Sequence, residues 1–336
     1  MRKLLLFLTL LILAVTAVGA YCYKALFEKR EVNGQVEVKK GESLRGLLRR
    51  LAEQNLIEEP TLAYYYLRIE KIPVKSGCYR FSGELSTVEV LKELSKGKPC
   101  LKSFTIVPGS TLFDVDRVLA EKGFCRKGEV LELSRDRKLL EELKVPTLEG
   151  FLFPDTYLVN KESSCREVLK LPVKRFFAEL SSVMKDYTPP PKVKKALGKP
   201  TLLKVVTVAS IVEKETSKEE ERPLVAAVIY NRLIKKMKLQ CDPTVIYALR
   251  LKGIDKERLL FKDLEVDSPY NTYRYKGLPP SPICNPSLSS IRAALYPAQV
   301  NYLYFVANGK GGHTFSESYN QHLKEVRKFR KWQRGS

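Results

Sequence analysis

The sequence predicts an α+β protein in which a membrane-spanning helix leads into a repeated strand–helix module and then into a mixed α/β domain. Three observations support this fold class. An uncharged apolar run opens the chain, one segment of the first half occurs twice, and apolar helical runs alternate with loops rich in glycine, proline and tyrosine after residue 200. With 336 residues, of which 44% are hydrophobic and 29% charged, the chain is long enough for two or three domains.

The N-terminal segment is predicted to cross a membrane. Arg2 and Lys3 precede an uncharged run from Leu4 to Tyr23, and about 20 helical residues rise about 30 Å, the thickness of the hydrocarbon core. A cleaved signal peptide is the alternative, because residues 18–20 resemble a cleavage site. The length of the run favours a retained anchor. We therefore predict an anchor at residues 1–23, a linker at residues 24–35 and the bulk of the chain outside the cytoplasm.

The chain is strongly basic. It has 59 Lys and Arg against 38 Asp and Glu, which gives a formal net charge of +21. Such an excess suits anionic surroundings such as lipid headgroups or acidic wall polymers, and the export signal argues against nucleic acid. A solvated surface of Lys and Arg explains much of the charge equally well.

The seven cysteines predict no metal site, since none are spaced as Cys-x-x-Cys and only two histidines could assist them. Outside the cytoplasm, the six cysteines after Cys22 could form disulfides, for which there are 15 possible connectivities. Disulfides and free buried thiols both stay open at this point.

One segment of the first half occurs twice. Residues Val36–Ile57 align with Phe104–Cys125, and Gly41 then matches Gly109. Each copy has the pattern of a short strand, a glycine turn, a Ser or Thr cap and an amphipathic helix. We therefore predict a subdomain at residues 36–125 that serves packing or binding, because its turns carry no catalytic groups.

The segments between and after the two copies predict further elements. A hairpin and then a capped helix starting near Ser86 are expected between the copies. The connecting region at residues 126–199 should contain a strand at Leu148–Val159, broken at Pro154, and a helix near Ser164–Lys185. A proline-rich stretch then marks the boundary of the last domain.

Residues 200–336 form the predicted C-terminal domain. A buried helix runs from Thr201 to about Thr216, and a second helix covers Glu220–Met237 with Pro223 in its first turn. Polar loops follow, and a cationic helix closes the chain. Loops carried on helices are where binding and catalysis concentrate, so we expect the functional site here.

Two glutamates, Glu213 and Glu215, occupy apolar positions of the first of these helices. Because the two residues are two positions apart on a helix, their side chains point about 200° from each other. They therefore cannot form a pair of carboxylates that faces one cleft. Apolar surroundings raise the pKa of a carboxyl group, which suits a general acid. The alternative is that Glu215 pairs with a cation such as Lys218, and the local sequence leaves both open.

Other catalytic arrangements have less support. The chain has no Gly-x-Ser-x-Gly motif, and its two histidines offer little to a serine triad. A dyad of Cys284 or Cys241 with His313 has no local signature. The glycine-rich loop that precedes His313 lacks the spacing of a phosphate-binding loop.

Five motifs follow one another in the C-terminal domain: "ASIVEKET", "VIYNRL", "LQCDPTVIYAL", "YNTYRYKGLPPSPICNPS" and "YLYFVANGKGGHTF". In this order they resemble the motifs of the MltG (YceG-like) family of membrane-anchored endolytic murein transglycosylases. The resemblance runs from the N-terminal anchor through "EGFLFPDTY" to the last helix, and Cys241 and Cys284 depart from the family pattern.

The resemblance implies a single catalytic acid, Glu215, the second acid of "EKE". Protonated Glu215 would donate to the oxygen between N-acetylmuramic acid and N-acetylglucosamine. The ionised group would then take the proton of the muramyl C6 hydroxyl, which closes a 1,6-anhydro ring. A hydrolase needs a second carboxylate, whereas this scheme needs neither a second acid nor a metal or cofactor.

The resemblance also implies the parts around this acid. Residues 36–125 would be a LysM-like glycan-binding subdomain, residues 126–199 a middle connecting region and residues 200–336 the catalytic transglycosylase domain. The side chains implied to bind substrate are Glu213, Asn231, Gln240, Asp242, Asn271, Thr272, Tyr273, His313 and Thr314.

The implied setting is the bacterial inner (cytoplasmic) membrane, crossed once, with the catalytic domain outside the cytoplasm. The enzyme would cut peptidoglycan strands internally and so terminate nascent glycan elongation beside glycan polymerases such as penicillin-binding proteins. Two alternatives remain. One is a non-catalytic peptidoglycan-binding regulator of wall synthesis, and the other is a true hydrolase with Asp242 or Glu213 as second carboxylate.

Overall fold

The computed structural model describes residues 2–335 and divides them into two compact units. The first unit contains residues up to 102 together with Val159–Glu162, and the second contains Ser103–Leu158 and the residues from Ser163 onward. Helices and short two-stranded sheets occur together. The predicted α+β class is therefore confirmed.

The first unit begins with the helix predicted as an anchor. In the described part of the chain, this is the one helix long and apolar enough to cross a membrane; its mean hydropathy is 2.5 and its apolar stretch is not buried. The elements of this unit are α1 (Arg2–Phe27), β1 (Arg30–Val38), α2 (Leu44–Glu53), α3 (Pro60–Ile69), β2 (Gly77–Leu85) and α4 (Thr87–Leu94).

A single antiparallel strand pair forms the sheet of the first unit. β1 pairs with β2 from Arg30↔Leu85 to Val38↔Gly77, and helix α2 adds leucines to the core beside it. The hairpin predicted between the repeat copies is therefore wrong, because the strand there pairs with β1. The capped helix predicted near Ser86 is confirmed: Ser86 and Glu89 form a capping box at the start of α4.

The second unit is mainly helical. The strand pair β3 (Leu101–Thr105) and β4 (Thr156–Asn160) has residues in both units. The other elements are α5 (Leu112–Glu121), α6 (Glu129–Leu133), α7 (Arg137–Leu143), α8 (Cys165–Met184), α9 (Pro191–Leu197), α10 (Leu202–Glu215), α11 (Arg222–Ile234), α12 (Asp242–Leu251), α13 (Leu288–Leu295), β5 (Tyr304–Ala307), β6 (His313–Ser316) and α14 (Tyr319–Gly335).

The two repeat copies have the same local structure. Gly41 and Gly109 adopt φ of 80° and 79°, a conformation that glycine accepts without strain, and Ser43 and Thr111 cap the helices that follow. The copies nevertheless lie in different compact units. The compact units thus do not coincide with the predicted range 36–125, and its glycan-binding role stays a prediction.

Helix α10 runs through the core of the second unit. Thr201 caps its first turn, and residues 205–212 are all buried. It packs against α11 and α13, and the Tyr230 hydroxyl of α11 donates to the Ala294 carbonyl of α13 at 2.7 Å. A helix apolar on most of its circumference must be surrounded in this way. Its last residue, Glu215, emerges from this packing.

Asn285 joins three loops of the second unit. Its Oδ1 accepts from the backbone N–H groups of Gly150 and Leu152, both at 3.0 Å, and its Nδ2 donates to the Ser110 carbonyl at 3.0 Å. The strand predicted from Leu148 therefore begins only at β4, because the backbone before it bonds to this amide.

The cysteines divide into disulfides and free thiols. Cys78 pairs with Cys100 in the first unit, and Cys125 pairs with Cys165 in the second. Glu129 lies beside the second pair, whose two sulfurs are taken up by the disulfide. Cys22, Cys241 and Cys284 are free, and the last two are buried.

Candidate active site

Glu213, near the end of α10, is held in an internal ion pair. Its Oε2 lies 2.8 Å from Nη1 of Arg222 and accepts the Ser287 N–H at 2.8 Å and the Ser287 hydroxyl. The side chain is only 6% exposed. Burial alone would raise its pKa, but the hydrogen bonds from Ser287 and Ser290 and the charge of Arg222 outweigh burial, and the pKa is lowered. This geometry favours a structural role over the predicted sugar contact.

Glu215, two residues on, has opposite surroundings. Within residues 2–335, no cation forms an ion pair with it, and Lys218, its predicted alternative partner, does not pair with it. The residue is partly exposed by surface area, yet protein atoms surround its carboxyl closely. Desolvation is the main cause that raises its pKa to about 7. The charge of Asp242 also raises this pKa, whereas a hydrogen bond from the Cys241 thiol lowers it. A carboxyl that is protonated near neutral pH and reachable from solvent is suited to general acid catalysis.

The start of α12 forms one side of the site. The Cys241 thiol lies against Glu215, and Asp242 begins the helix. The Tyr273 hydroxyl donates to Asp242 Oδ1 at 2.5 Å. Both side chains lie near Glu215: the charge of Asp242 raises the pKa of Glu215, and the charge of Glu215 raises the pKa of Tyr273. Proximity to Asp242 helps raise the pKa of Tyr273, after burial itself. The structure thus brings together Glu215, Asp242 and Tyr273.

Arg232 supplies a cation near the acid without pairing with it. Its Nε donates to the Leu303 carbonyl at 2.7 Å and its Nη1 to the Leu239 carbonyl at 2.6 Å. The guanidinium also lies over the Tyr304 ring, 5.3 Å from its centre. Backbone carbonyls therefore fix this charge in place, and it lowers the pKa of Glu215 only after the larger effect of desolvation.

His313 is connected to the end of α10 through Glu221. The Nδ1 of His313 lies 2.7 Å from Glu221 Oε2, which also accepts the Thr216 hydroxyl at 3.0 Å. Gly312 permits this approach, since a Cβ there would lie 2.4 Å from Glu221 Oε1. His313 is thereby joined to the residue that follows Glu215. Thr314, next in β6, is partly exposed.

Three of the predicted sugar contacts instead hold the loops of the site. Asn231 Nδ2 donates to the carbonyls of residues 300 and 302, both at 2.9 Å. Asn271 Nδ2 donates to those of residues 264 and 266, both at 2.8 Å. The Thr272 hydroxyl accepts the Cys241 N–H at 3.0 Å and bonds Thr244 at 2.9 Å. All three are buried, which favours a structural role over sugar contact.

The other predicted contacts are at least partly exposed. Gln240 and Asp242 are exposed, and Tyr273 and Thr314 are partly exposed. Gln240 adopts φ of 52° and its N–H bonds the Thr272 carbonyl at 3.2 Å, so the loop before α12 turns sharply at this residue. These side chains are free to contact a ligand, and that role stays a prediction.

Glu149 is a buried carboxyl that is not among the predicted site residues. Its Oε2 accepts the Leu112 N–H at 3.1 Å and the Tyr247 hydroxyl at 2.9 Å, whereas its Oε1 is buried without a partner. Burial raises its pKa to about 8. The sequence signal for this buried carboxyl is an acidic residue that stands between Leu148 and the apolar run after Gly150.

Changing Glu149 to Gln should flatten the dependence of stability on pH. Because the folded-state pKa is raised from 4.5 to about 8, wild-type stability is full below about pH 4.5 and is lost as the pH rises to about 8. Glutamine keeps an oxygen for Leu112 and Tyr247 and never ionises. At pH 8.5 the variant should be more stable by up to about 5 kcal/mol.

The measurement is thermal unfolding of the full chain in detergent between pH 5 and 8.5. The same change at exposed Glu257 is the control and should follow wild type. Parallel pH curves for wild type and Glu149→Gln would contradict a buried protonated carboxyl at this position.

Comparisons with known proteins agree on one family. The chain matches the model of the YceG-like family over residues 36–328. It is 31% identical to the endolytic murein transglycosylase of Bacillus subtilis (strain 168), with 93% of this chain and 90% of that protein aligned. The endolytic murein transglycosylase of Streptococcus pneumoniae serotype 2 (strain D39 / NCTC 7466) is 30% identical over 83% of this chain, which spans 55% of that relative.

A solved structure agrees with these relatives. The crystal structure of the yceG-like protein lmo1499 from Listeria monocytogenes superposes with a TM-score of 0.58 at 32% identity, covering 87% of this chain and 98% of that one. Family match, relatives and fold coincide over nearly the whole chain. This chain therefore belongs to the YceG-like family.

Proposed function

We propose that this protein is an endolytic murein transglycosylase that uses Glu215 as its only acid and base. The observation that carries the proposal is the contrast between the two glutamates of α10. Glu213 is locked to Arg222 and Ser287, whereas Glu215 has no cation partner among the described residues and a pKa near 7. The relatives named endolytic murein transglycosylase support the reaction class.

In the proposed reaction, protonated Glu215 donates to the glycosidic oxygen between N-acetylmuramic acid and N-acetylglucosamine. That carbon–oxygen bond breaks, and positive charge develops at the muramyl C1. The C6 hydroxyl oxygen of the same sugar attacks C1 and gives its proton to the ionised Glu215, which restores the acid. A 1,6-anhydro end and a free N-acetylglucosamine end result, and no water is consumed. A lone carboxyl with a pKa near neutrality fits both halves of this cycle.

The setting belongs to the same proposal. Helix α1 would hold the protein in the inner membrane, with the residues that follow α1 outside the cytoplasm. Residues 36–125 would bind glycan, and Gln240, Asp242, Tyr273, His313 and Thr314 would contact the sugars beside the acid. Internal cleavage near the membrane would terminate nascent strands made by neighbouring glycan polymerases.

Product analysis tests the reaction. Wild-type protein incubated with murein sacculi should release fragments that end in 1,6-anhydro-muramic acid, identified by mass spectrometry as the loss of one water per end. Reducing muramic acid ends would instead mean hydrolysis, for which Asp242, held by Tyr273 beside Glu215, is the second carboxylate in place. If no fragment is released, the enzyme is refuted and the alternative of a non-catalytic peptidoglycan-binding regulator is supported.

The pH dependence of cleavage should report the acid. Because Glu215 must carry a proton to begin the reaction and its pKa is about 7, kcat/KM should be level below pH 6. Above about pH 7 it should fall about tenfold per pH unit. Initial rates on defined glycan strands between pH 5 and 9 measure this limb. A level profile up to pH 9 would contradict Glu215 as the general acid.

A further inference from the structure

The second unit contains a cleft that the proposed reaction does not use. It encloses about 620 Å³ between α9, α10, the end of α11 and the loop at residues 276–280. We name it the α9–α11 cleft. Its aliphatic side chains include Leu203, Leu233, Met237 and Leu278. Neither a carboxylate nor an aromatic ring is among the described residues that line it.

Three segments that line the α9–α11 cleft lie close in sequence to residues of the candidate active site. Thr207 lines the cleft and precedes Glu215 by eight residues of α10, about 12 Å along the helix axis. The segment after α11 leads from Met237 to Gln240, and the loop at 276–280 directly follows the segment that contains Tyr273. The cleft and the candidate active site are therefore built from neighbouring segments of the same compact unit.

Cations surround the apolar lining. Lys204, Lys236 and Lys276 line the α9–α11 cleft. The Lys204 ammonium donates to the Leu197 carbonyl at 2.7 Å. Within residues 2–335, the ammonium groups of Lys236 and Lys276 have no carboxylate or carbonyl partner, and both residues are exposed. The cleft thus offers alkyl surface together with unneutralised positive charge.

We propose that the α9–α11 cleft binds a short acidic peptide with alkyl side chains. This deepens the proposed function and rests on it, because in murein such a peptide is the stem carried by the lactyl group of N-acetylmuramic acid. A sugar ring packs best on an aromatic face, and the described lining of the cleft has none. Alkyl side chains match the leucines, and peptide carboxylates match Lys236 and Lys276.

The test compares glycan strands that bear stems with the same strands stripped by an amidase. Wild-type protein should cleave stem-bearing strands with a KM about 5- to 10-fold lower than stripped strands. The double variant Lys236→Gln/Lys276→Gln should raise the KM for stem-bearing strands to the wild-type value for stripped ones, with kcat unchanged. The variant Lys236→Arg/Lys276→Arg keeps both charges and should restore the low KM.

A matched control removes two charges elsewhere. Lys252→Gln/Lys262→Gln changes exposed lysines of the same unit outside the cleft and should leave the KM for stem-bearing strands at the wild-type value. An equal rise of this KM in both double variants would assign the effect to the overall charge of the protein and would overturn the peptide site. Equal wild-type KM for stem-bearing and stripped strands would overturn it too.

Direct binding separates this proposal from the proposed function. Peptide released from the same strands should bind the full chain in detergent by calorimetry, and Lys236→Gln/Lys276→Gln should weaken that binding about 5- to 10-fold. Peptide binding without cleavage of any strand would refute the transglycosylase and keep the cleft. Cleavage without peptide binding would refute the cleft and keep the transglycosylase.

Discussion

Replacing Glu215 with glutamine should lower the rate of glycan cleavage by about 10²- to 10⁴-fold, the usual contribution of a general acid or base. Glutamine has nearly the same shape but can neither give a proton to the glycosidic oxygen nor accept one from the C6 hydroxyl. Because binding contacts are kept, the loss should lie in kcat, with KM nearly unchanged. Release of fragments from defined glycan strands measures it.

The same substitution should stabilise the protein at alkaline pH. The folded-state pKa of Glu215 is raised from 4.5 to about 7, so the folded protein holds a proton that the unfolded chain has lost. This stability is full below about pH 4.5 and is lost as the pH rises through 7. Glutamine never ionises, and at pH 8 the variant should be more stable by about 3 kcal/mol. Lost activity with gained stability is typical of a functional side chain in an unfavourable site.

Thermal unfolding at pH 5 and pH 8 provides the second readout. The gain should be present at pH 8 and small at pH 5. A Glu215→Gln protein that keeps more than a tenth of its activity and gains no stability would place the catalytic acid elsewhere. Asp242→Asn is the matched comparison, since a transglycosylase should keep most of its rate and a two-carboxylate hydrolase should lose it.

Much of the fold could be predicted because local signals agree with the packing. The apolar run before Glu213 can only be a buried helix, and Thr201, Ser86 and Ser164 mark helix starts that the structure confirms. The repeat could be found because Gly41 and Gly109 need the same left-handed turn. Each of these signals acts within a few residues along the chain.

The errors all concern partners that are distant in sequence. The strand β2 looks like half of a local hairpin, yet its partner β1 lies more than 40 positions earlier at Val36↔Tyr79. The backbone after Leu148 looks extended, but Asn285, from the other end of the chain, takes its N–H groups. Sequence patterns specify which groups need partners, while only the packing decides which ones they obtain.

The candidate site divides in the same way. Residue type and motif pointed to Glu215, Asp242 and Tyr273, which lie together in the structure. The polarity of Asn231 and Asn271 also suggested sugar contact, but buried amides commonly satisfy backbone carbonyls, as both do here. Solvent exposure, which cannot be read from the sequence, distinguishes Glu215, Asp242 and Tyr273 from the buried Asn231 and Asn271.

Replacing Arg222 with methionine should destabilise the second unit by about 3 to 5 kcal/mol, because it leaves the buried charge of Glu213 without its cation. Arg222 and Glu213 are 8% and 6% exposed, and Nη1 of the arginine also donates to Ser287 at 3.0 Å and to Ser290. Methionine fills similar space but supplies no proton or charge. Amide hydrogen exchange in α10 measures the loss.

The double variant Glu213→Gln/Arg222→Met should recover part of that loss. Glutamine carries no charge and still accepts the Ser287 N–H, so no bare ion remains in the core. The single changes should therefore not add, with a coupling of about 1 kcal/mol or more. Additive losses would mean that the two charges are solvated and would contradict a buried ion pair. Glu213→Gln alone should keep catalytic activity, in contrast to Glu215→Gln.

Acid should reduce the difference between wild type and Arg222→Met. The pKa of Glu213 is lowered in the folded wild type, since hydrogen bonds and Arg222 outweigh burial. Its contribution to stability is therefore present above the unfolded value of 4.5 and lost as the pH falls through the folded pKa. Without Arg222, burial prevails and protonation of Glu213 relieves the variant. The stability gap should thus be largest near pH 7.5 and smaller at pH 4.5, whereas a constant gap would assign the effect of Arg222 to packing alone.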